Sequence, residues 1–510
     1  MKKTYYVTAA IDYVNARPHL GTAYEKIGAD CLARYKRLCG VDVWFLMGTD
    51  EHSTNVEKEA RRLGKDPRVY TDEMAEAFER TWKALHISYD QFIRTTSEVH
   101  KQTVRYLFQR IYDNGYIYAG EYEGLYCEGC EEFKAEKDLE DGKCPRHHTE
   151  ATHIKEKNYF FALSRFSDRL EKHIREHPEF IRPNIRRNEI LKVIESGLED
   201  VSVSRKGKDW GVKLPIDEGH VVYVWFDALI NYISALGFGD DPDPKFHKFW
   251  PADCHIIGKD ITRFHCLIWP AMLMAAGVPV AHSVFAHGFV YNRGEKMSKT
   301  IGNIVDPADM AAFFGADALR YLMLREIAFD RDGDFTVELF VTRHNAELAN
   351  ELGNLFSRTL SMTHRYFQGA VPAWNDDAAE SFEQIAGGVI DAYRERMDAL
   401  AFDEALDALW RAVQSGNRYV EKRKPWAQAK LGDTQALGVT LRTLLEVLRL
   451  CSVLCWPFMP QKSAEMRRQL GLPDTFSDIR IDKAPLPGAA DWARIGEGAV
   501  LFPRLDKPQM

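Results

Sequence analysis

The sequence has no run of apolar residues long enough to cross a bilayer. Two lysines, Lys2 and Lys3, precede an apolar stretch, as in a secretory signal. That stretch is short, is broken by Asp12 and has no small-residue cleavage pattern after it, so it reads as a first core strand. There is also no disulfide framework. Of nine cysteines, six (Cys31, Cys39, Cys254, Cys266, Cys451, Cys455) are scattered among apolar residues, and three share one short segment with a histidine. That is the pattern of a reducing compartment with one metal site. An excess of positive charge is absent too. The formal net charge is −8, so any nucleic-acid contact must come from local basic surface, and indiscriminate binding is disfavoured. Repeats and low-complexity linkers are missing. What remains is a soluble, intracellular, globular chain, expected in the cytoplasm with no membrane partner.

At 510 residues the chain has room for three or four units, at roughly 150 residues per domain. Residues 4–11 (TYYVTAAI) read as a buried strand. After a loop, His19-Leu20-Gly21-Thr22 leads into AYEKIGADCLARYKRL, apolar at helical spacing and closed by Gly40. Residues 41–47 (VDVWFLM) form a second strand, and Gly48-Thr49-Asp50 opens a helix ending near Gly64. This βαβα order predicts an α/β class with a doubly wound parallel sheet of Rossmann type. The order breaks near residue 117, where glycine, cysteine, glutamate and lysine crowd together. Strand-like runs return at 221–228 (VVYVWFDA) and 254–258 (CHIIG), so 117–218 reads as an inserted domain. From about residue 340 the pattern is helical, with amphipathic segments at 343–368, 378–400, 403–423 and 434–455, as in a helix bundle.

Two segments carry phosphate chemistry. Pro18-His19-Leu20-Gly21-Thr22 sits at a strand-to-helix turn, where free N–H groups and the helix dipole suit polyphosphate. His19 and Thr22 offer donors, and Gly21 permits close approach. Read singly, the same residues are a helix cap. Lys296-Met297-Ser298-Lys299-Thr300 places two lysines in a loop able to meet charge that grows on a phosphate. A third segment pairs Cys127-Glu128-Gly129-Cys130 with Cys144-Pro145-Arg146-His147. CxxC and CxxH pairs suit a tetrahedral zinc, and four protein ligands leave no open position, so one structural Zn2+ is expected.

In this order and separation the two phosphate motifs resemble the paired signatures of class I aminoacyl-tRNA synthetases. Lys296 to Lys299 follows the family's Lys-Met-Ser-Lys. The first motif departs from the family, which usually ends it with a second histidine where this chain has Thr22. Four segments, AAIDYVNARPHLG, GTDEH, YVWFDALINY and IIGKDITRFH, look like methionyl-tRNA synthetases, and this likeness spans nearly the whole chain. It implies a methionine site lined by Ala10, Ile11 and Tyr13, with Asp50 taking the ammonium. Trp225, Ala228 and Tyr232 enclose the thioether chain, and Ile261 and His265 form the far wall. It implies an ATP site of His19, Gly21, Thr22, Gly258, Asp260, His287, Lys296 and Lys299, with Mg2+ accompanying ATP. His19, Thr22, Lys296 and Lys299 would be catalytic.

The same likeness implies an anticodon reader of Asn354, Arg358 and Trp426. The partners would be ATP, L-methionine and tRNA(Met). The implied domains are a catalytic domain at 1–116 and 219–290, a zinc-bearing connective insertion at 117–218, a lysine-loop and stem-contact region at 291–340 and a helical anticodon-binding domain at 341–510. No further tRNA-binding barrel follows, so a monomer is expected. Two other readings stay open on the residues alone: a class I synthetase for another small apolar amino acid, or a tRNA-binding homologue that has lost catalysis, which Thr22 would favour. Taken singly, Trp225 reads as a core strand residue, Asp50 as a helix cap and His265 as a core histidine.

Overall fold

The structure is a computed structural model. It describes residues 3–506 apart from 128–131, 135, 137–138, 146–148, 298–302 and 485–491, and apart from the side chains of 122–123, 132–134 and 154–156. Strand β1 (Thr4–Ala9) is built of aromatic and β-branched residues and is buried along its last four positions, as expected for a strand covered on both faces. It pairs in parallel with β3 (Asp42–Asp50) on one side and with Cys254–Gly258 on the other. The sheet continues outward through Val284–His287 to Ile181–Arg182, and through β3 to β4 (Gln91–Arg94), all in parallel. The two-residue strand β2 (Asp12–Tyr13) pairs with Thr49 and Asp50 at the far end of β3. The expected doubly wound sheet is therefore present, and its strand order reverses at β1. In open α/β sheets the crevice at such a reversal, outside the carboxyl ends of the strands, is where ligands bind.

Helix α1 (Leu20–Leu38) follows β2 and stops at Cys39 and Gly40 (φ 78°). Three expectations change at this level. VVYVWFDA was read as one strand, but only His220–Val222 is extended, and Val224–Ala228 is helical. Tyr223 and Phe226 are buried by tertiary packing, which overrides the local strand preference of the segment. Asp50 does not cap a helix: it ends β3, and Ser53 caps Thr54–Arg62 through a bond from Val56 N. The helix read at 378–400 is two helices, Asp376–Ala386 and Val389–Ala399, broken at Gly387-Gly388 where Gly388 has φ 70°.

Between residues 117 and 218 an antiparallel sheet joins Ile117–Cys127, Glu132–Lys134, Thr152–Phe161 and Val201–Ser202. The same stretch returns Ile181–Arg182 to the parallel sheet, so the segment read as inserted also supplies the outermost strand of that sheet. The helices after residue 337 share one continuous apolar core with α1. Arg320, fully buried, ties the two halves. It bonds Leu85 O, Pro457 O and Phe458 O, and pairs with Asp30 of α1 at 2.6 Å. Among the described residues no helix is long and apolar enough to cross a membrane.

Candidate active site

The crevice at the strand reversal is a cavity of about 410 Å³. Ala10, Ile11 and Tyr13 line it from the end of β1 and from β2. His19, Gly21 and Thr22 line it from the start of α1, and Asp50 from the end of β3. Trp225, Ala228 and Tyr232 reach it from the helical turns after His220–Val222, and Gly258, Asp260, Ile261 and His265 from the end of Cys254–Gly258 and beyond. His287 and Lys296 complete it. Every described residue assigned from sequence to the methionine and ATP sites thus borders one cavity. Lys299 lies outside the described residues.

The α1 terminus is a reciprocal cap. His19 Nδ1 accepts from Gly21 N (3.1 Å) and Thr22 N (3.3 Å). Thr22 Oγ1 accepts from His19 N (3.0 Å) and donates to His19 O (2.8 Å). Because Nδ1 is an acceptor, the ring proton sits on Nε2. Burial, then the charges of Lys296 and Lys26, lowers the His19 pKa to about 4, so the ring is neutral near pH 7. The capping reading and the phosphate reading are therefore compatible. Nδ1 and the threonine hydroxyl hold the turn, and Nε2–H is left as a donor. Gly21 is needed because a Cβ there would lie 3.0 Å from the His19 ring.

On the other wall, Trp225 stacks on Phe264 (3.9 Å, 10°) and takes Tyr13 against its edge (5.8 Å, 81°). The strand role read for Trp225 gives way to a flat aromatic slab at the cavity. Tyr232 OH lies 2.7 Å from His265 Nε2, and His265 Nδ1 lies 3.1 Å from Ile261 O. Nδ1–H must donate to that carbonyl, so Nε2 accepts the tyrosine proton. Burial lowers the His265 pKa to about 4. The deep end is thus aromatic, neutral and polarisable, which suits a thioether. Asp50 is 3 % exposed at the mouth of β3.

Sequence reading missed the groups that hold these walls. Asp227 accepts from His52 Nδ1 (2.7 Å) and His100 Nε2 (2.9 Å), and His100 Nδ1 meets Ser234 Oγ at 2.8 Å. Burial alone would raise the Asp227 pKa, but His52 and then His100 hold it down to about 2. Glu51 is gripped by Arg94 (2.7 and 3.0 Å), Thr49 (2.7 Å) and Thr96. Trp210 donates to Glu51 O at 2.6 Å. Asp227, Glu51 and His52 stood within the motifs quoted from sequence, but polar residues beside a substrate contact give no local sign of which way they face.

The lysine loop is reached through Val290–Asn292 paired with Glu295–Lys296, and Lys296 Nζ lies 4.0 Å over the Phe289 ring. Of the expected zinc ligands, Cys127 and Cys144 are described and buried. They converge on Thr149: Cys127 Sγ is 4.0 Å from its hydroxyl, and Cys144 N donates to its carbonyl at 2.9 Å. Cys130 and His147 lie outside the described residues, among which no cluster of three or more metal-ligating side chains occurs. In the helical half, Arg358 lies 5.6 Å over the ring of Trp426, which is 42 % exposed, and Asn354 is exposed one turn before Arg358. The structure brings these three together on one surface.

A crevice at a sheet reversal, with a helix terminus and Lys296 on its walls, is the arrangement of a class I synthetase. The family described as "tRNA synthetases class I (M)" matches residues 5–154 and 147–360, and the "anticodon binding domain of methionyl tRNA ligase" matches 371–484. The methionine--tRNA ligase of Caldanaerobacter subterraneus subsp. tengcongensis is 45% identical over 99% of this chain and 80% of its own length. That of Thermotoga maritima is 43% identical over 98% and 80%. The methionyl-tRNA synthetase of Mycobacterium tuberculosis in complex with methionyl-adenylate superposes with a TM-score of 0.93 at 41% identity, covering 98% of this chain and 100% of that one. Its apo form gives 0.87 at 39% identity, covering 100% and 99%. The chain belongs to the methionine--tRNA ligase family.

Proposed function

We propose that this chain activates L-methionine with ATP and transfers it to tRNA(Met), releasing AMP and diphosphate. The observation that carries the reading is the single cavity in which an aromatic slot with a carboxylate at its mouth adjoins a helix terminus and a lysine. Methionine lies with its thioether between Trp225, Ala228 and Tyr232, against Ile261 and His265. Ala10, Ile11 and Tyr13 form the near wall, and the ammonium pairs with Asp50. Its carboxylate attacks the α-phosphate in line, giving methionyl adenylate and diphosphate. His19 Nε2–H, the N–H groups of the α1 terminus, Lys296 and Lys299 meet the phosphate charge. Mg2+ bound with ATP would add positive charge there. Thr22 acts by holding the His19 turn. Gly258, Asp260 and His287 form the adenosine side. The terminal ribose of tRNA then attacks the adenylate carbonyl, and positioning is the main catalytic device.

Cys127, Cys130, Cys144 and His147 hold one structural zinc, a reading supported by two buried cysteines that both contact Thr149, Cys127 through its thiol and Cys144 through its backbone N–H. Asn354, Arg358 and Trp426 read the anticodon. Residues 291–340 carry the lysine loop and the stem contact. The enzyme works as a cytoplasmic monomer, in keeping with the free thiols of Cys31, Cys39, Cys254, Cys266, Cys451 and Cys455.

Methionine-dependent ATP–pyrophosphate exchange is the test. Exchange with methionine and not with cysteine or leucine is expected. Exchange driven by another amino acid, or tRNA binding without any exchange, would replace this reading. Elemental analysis should find one zinc per chain, lost in Cys130→Ser with a fall in melting temperature.

A further inference from the structure

Beneath the cavity runs a buried ionic chain that the reaction as proposed does not use. Lys26, on the inner face of α1, is fully buried. Its ammonium donates to Ala10 O (2.6 Å), to Glu25 Oε1 (2.7 Å) and to Asp12, whose two oxygens lie 3.1 and 3.0 Å away. Three donors meet three acceptor groups, so the side chain has no rotational freedom left. Glu25 continues the chain: its Oε2 lies 3.1 Å from His287 Nε2, while His287 Nδ1 meets Gly288 O at 2.7 Å. Asp12, Glu25, His287 and Gly288 all border the cavity. The chain therefore starts at the end of β1, passes under the floor and ends beyond Val284–His287. In the sheet these two strands are separated by Cys254–Gly258. Burial raises the Asp12 pKa to about 6 against the opposing pull of Lys26. Burial works likewise against Lys26, whose pKa is nevertheless raised by Asp12 and Glu25. Holding such charges out of water is costly, and simple packing would be served as well by apolar residues.

We propose that Lys26 is a positioning residue: with Glu25 it straps the wall formed by Ala10 and Asp12 to the wall formed by His287, and so fixes the separation of methionine from the nucleotide. The inference rests on the reading of the two walls as methionine and ATP sites. A strap of this kind acts on the alignment of two bound substrates more than on the binding of either. A misplacement of about 1 Å is enough to cost on the order of a hundredfold in rate.

The test compares wild type, Lys26→Met and Asp12→Asn/Lys26→Met in methionine-dependent exchange, with rates expressed per natively folded molecule. The single variant leaves two carboxylates without their ammonium and should melt well below wild type. The double variant removes one of those carboxylates and should recover most of the melting temperature. In both, kcat should fall about tenfold or more while KM for methionine and for ATP each move less than about threefold. Recovery of kcat together with melting temperature in the double variant would reduce Lys26 to a structural group and overturn the proposal. So would a loss confined to KM for one substrate. Absence of methionine-dependent exchange in the wild type would instead overturn the reading of the site on which the strap rests.

Discussion

A neutral His19 carries a consequence for pH. With Nδ1 bound to the α1 amides, protonation of the ring would place a second N–H against two backbone donors, inside a site already facing Lys296 and Lys26. The proton is therefore refused down to about pH 4, against an ordinary 6.5. For activity, kcat/KM for exchange should show no inflection near 6.5 from this group, because that profile reports the free enzyme. For stability, the native state binds fewer protons than the unfolded chain between about 4 and 6.5. The contribution of His19 is then complete above 6.5 and fades as pH falls toward 4. Urea titrations of wild type and His19→Asn across that window check the sign: the difference between them should shrink as pH falls. Asparagine can still cap the turn, so helix loss does not confuse the comparison.

Elements show what was legible in the sequence and why the rest was not. β1, α1 and Cys254–Gly258 were readable because each carries a clean period or a compact apolar run bounded by a turn. Val224–Ala228 was not, since Tyr223, Trp225 and Phe226 look like strand residues until Trp225 is seen stacked on Phe264 and Phe226 packed against Phe108 and Phe161. The site residues were readable only as a set. Asp50 and His265 singly resemble a cap and a core histidine, and the cavity that unites them depends on β2 continuing along β3 beside β1. Lys26 and Asp227 were not legible, because their partners lie on other elements. Arg320 belongs to this class as well. It reaches four groups on three segments, and without it Asp30 would be left as a buried carboxylate whose pKa burial raises, with only Arg34 as a cation beside the Ser88 donors to hold it low. Arg320→Met should destabilise the protein by about 3–5 kcal/mol in denaturant unfolding. Asp30→Asn added to it should return part of that loss.

Across the whole molecule, the cavity and the exposed Trp426 lie in parts of the chain that share a core and, in the function proposed above, meet different ligands. The cavity sits on the parallel sheet, and the surface formed by Asn354, Arg358 and Trp426 is remote from it in the chain and built on helices. Trp426 is held by Lys424, whose φ of 47° turns the chain, and by Pro425 at the start of the next helix. Arg358 steadies its face and is itself paired with Glu421 at 2.8 Å. A ring with a guanidinium over it and much of its surface in solvent is what stacking of a splayed base would need. Loss of one stacked base costs about 1–3 kcal/mol. Trp426→Ala should therefore raise KM for tRNA in aminoacylation by about five- to a hundredfold. Methionine-dependent exchange, which needs no tRNA, should lose less than about twofold, since none of the described residues lining the cavity belongs to the helix that carries this ring. Steady-state kinetics of both reactions on one preparation decide it. Equal losses in the two would mean that Trp426 serves the common core and that the anticodon is read elsewhere. A loss in the tRNA-dependent step alone would place base recognition on this surface and leave amino-acid activation to the sheet.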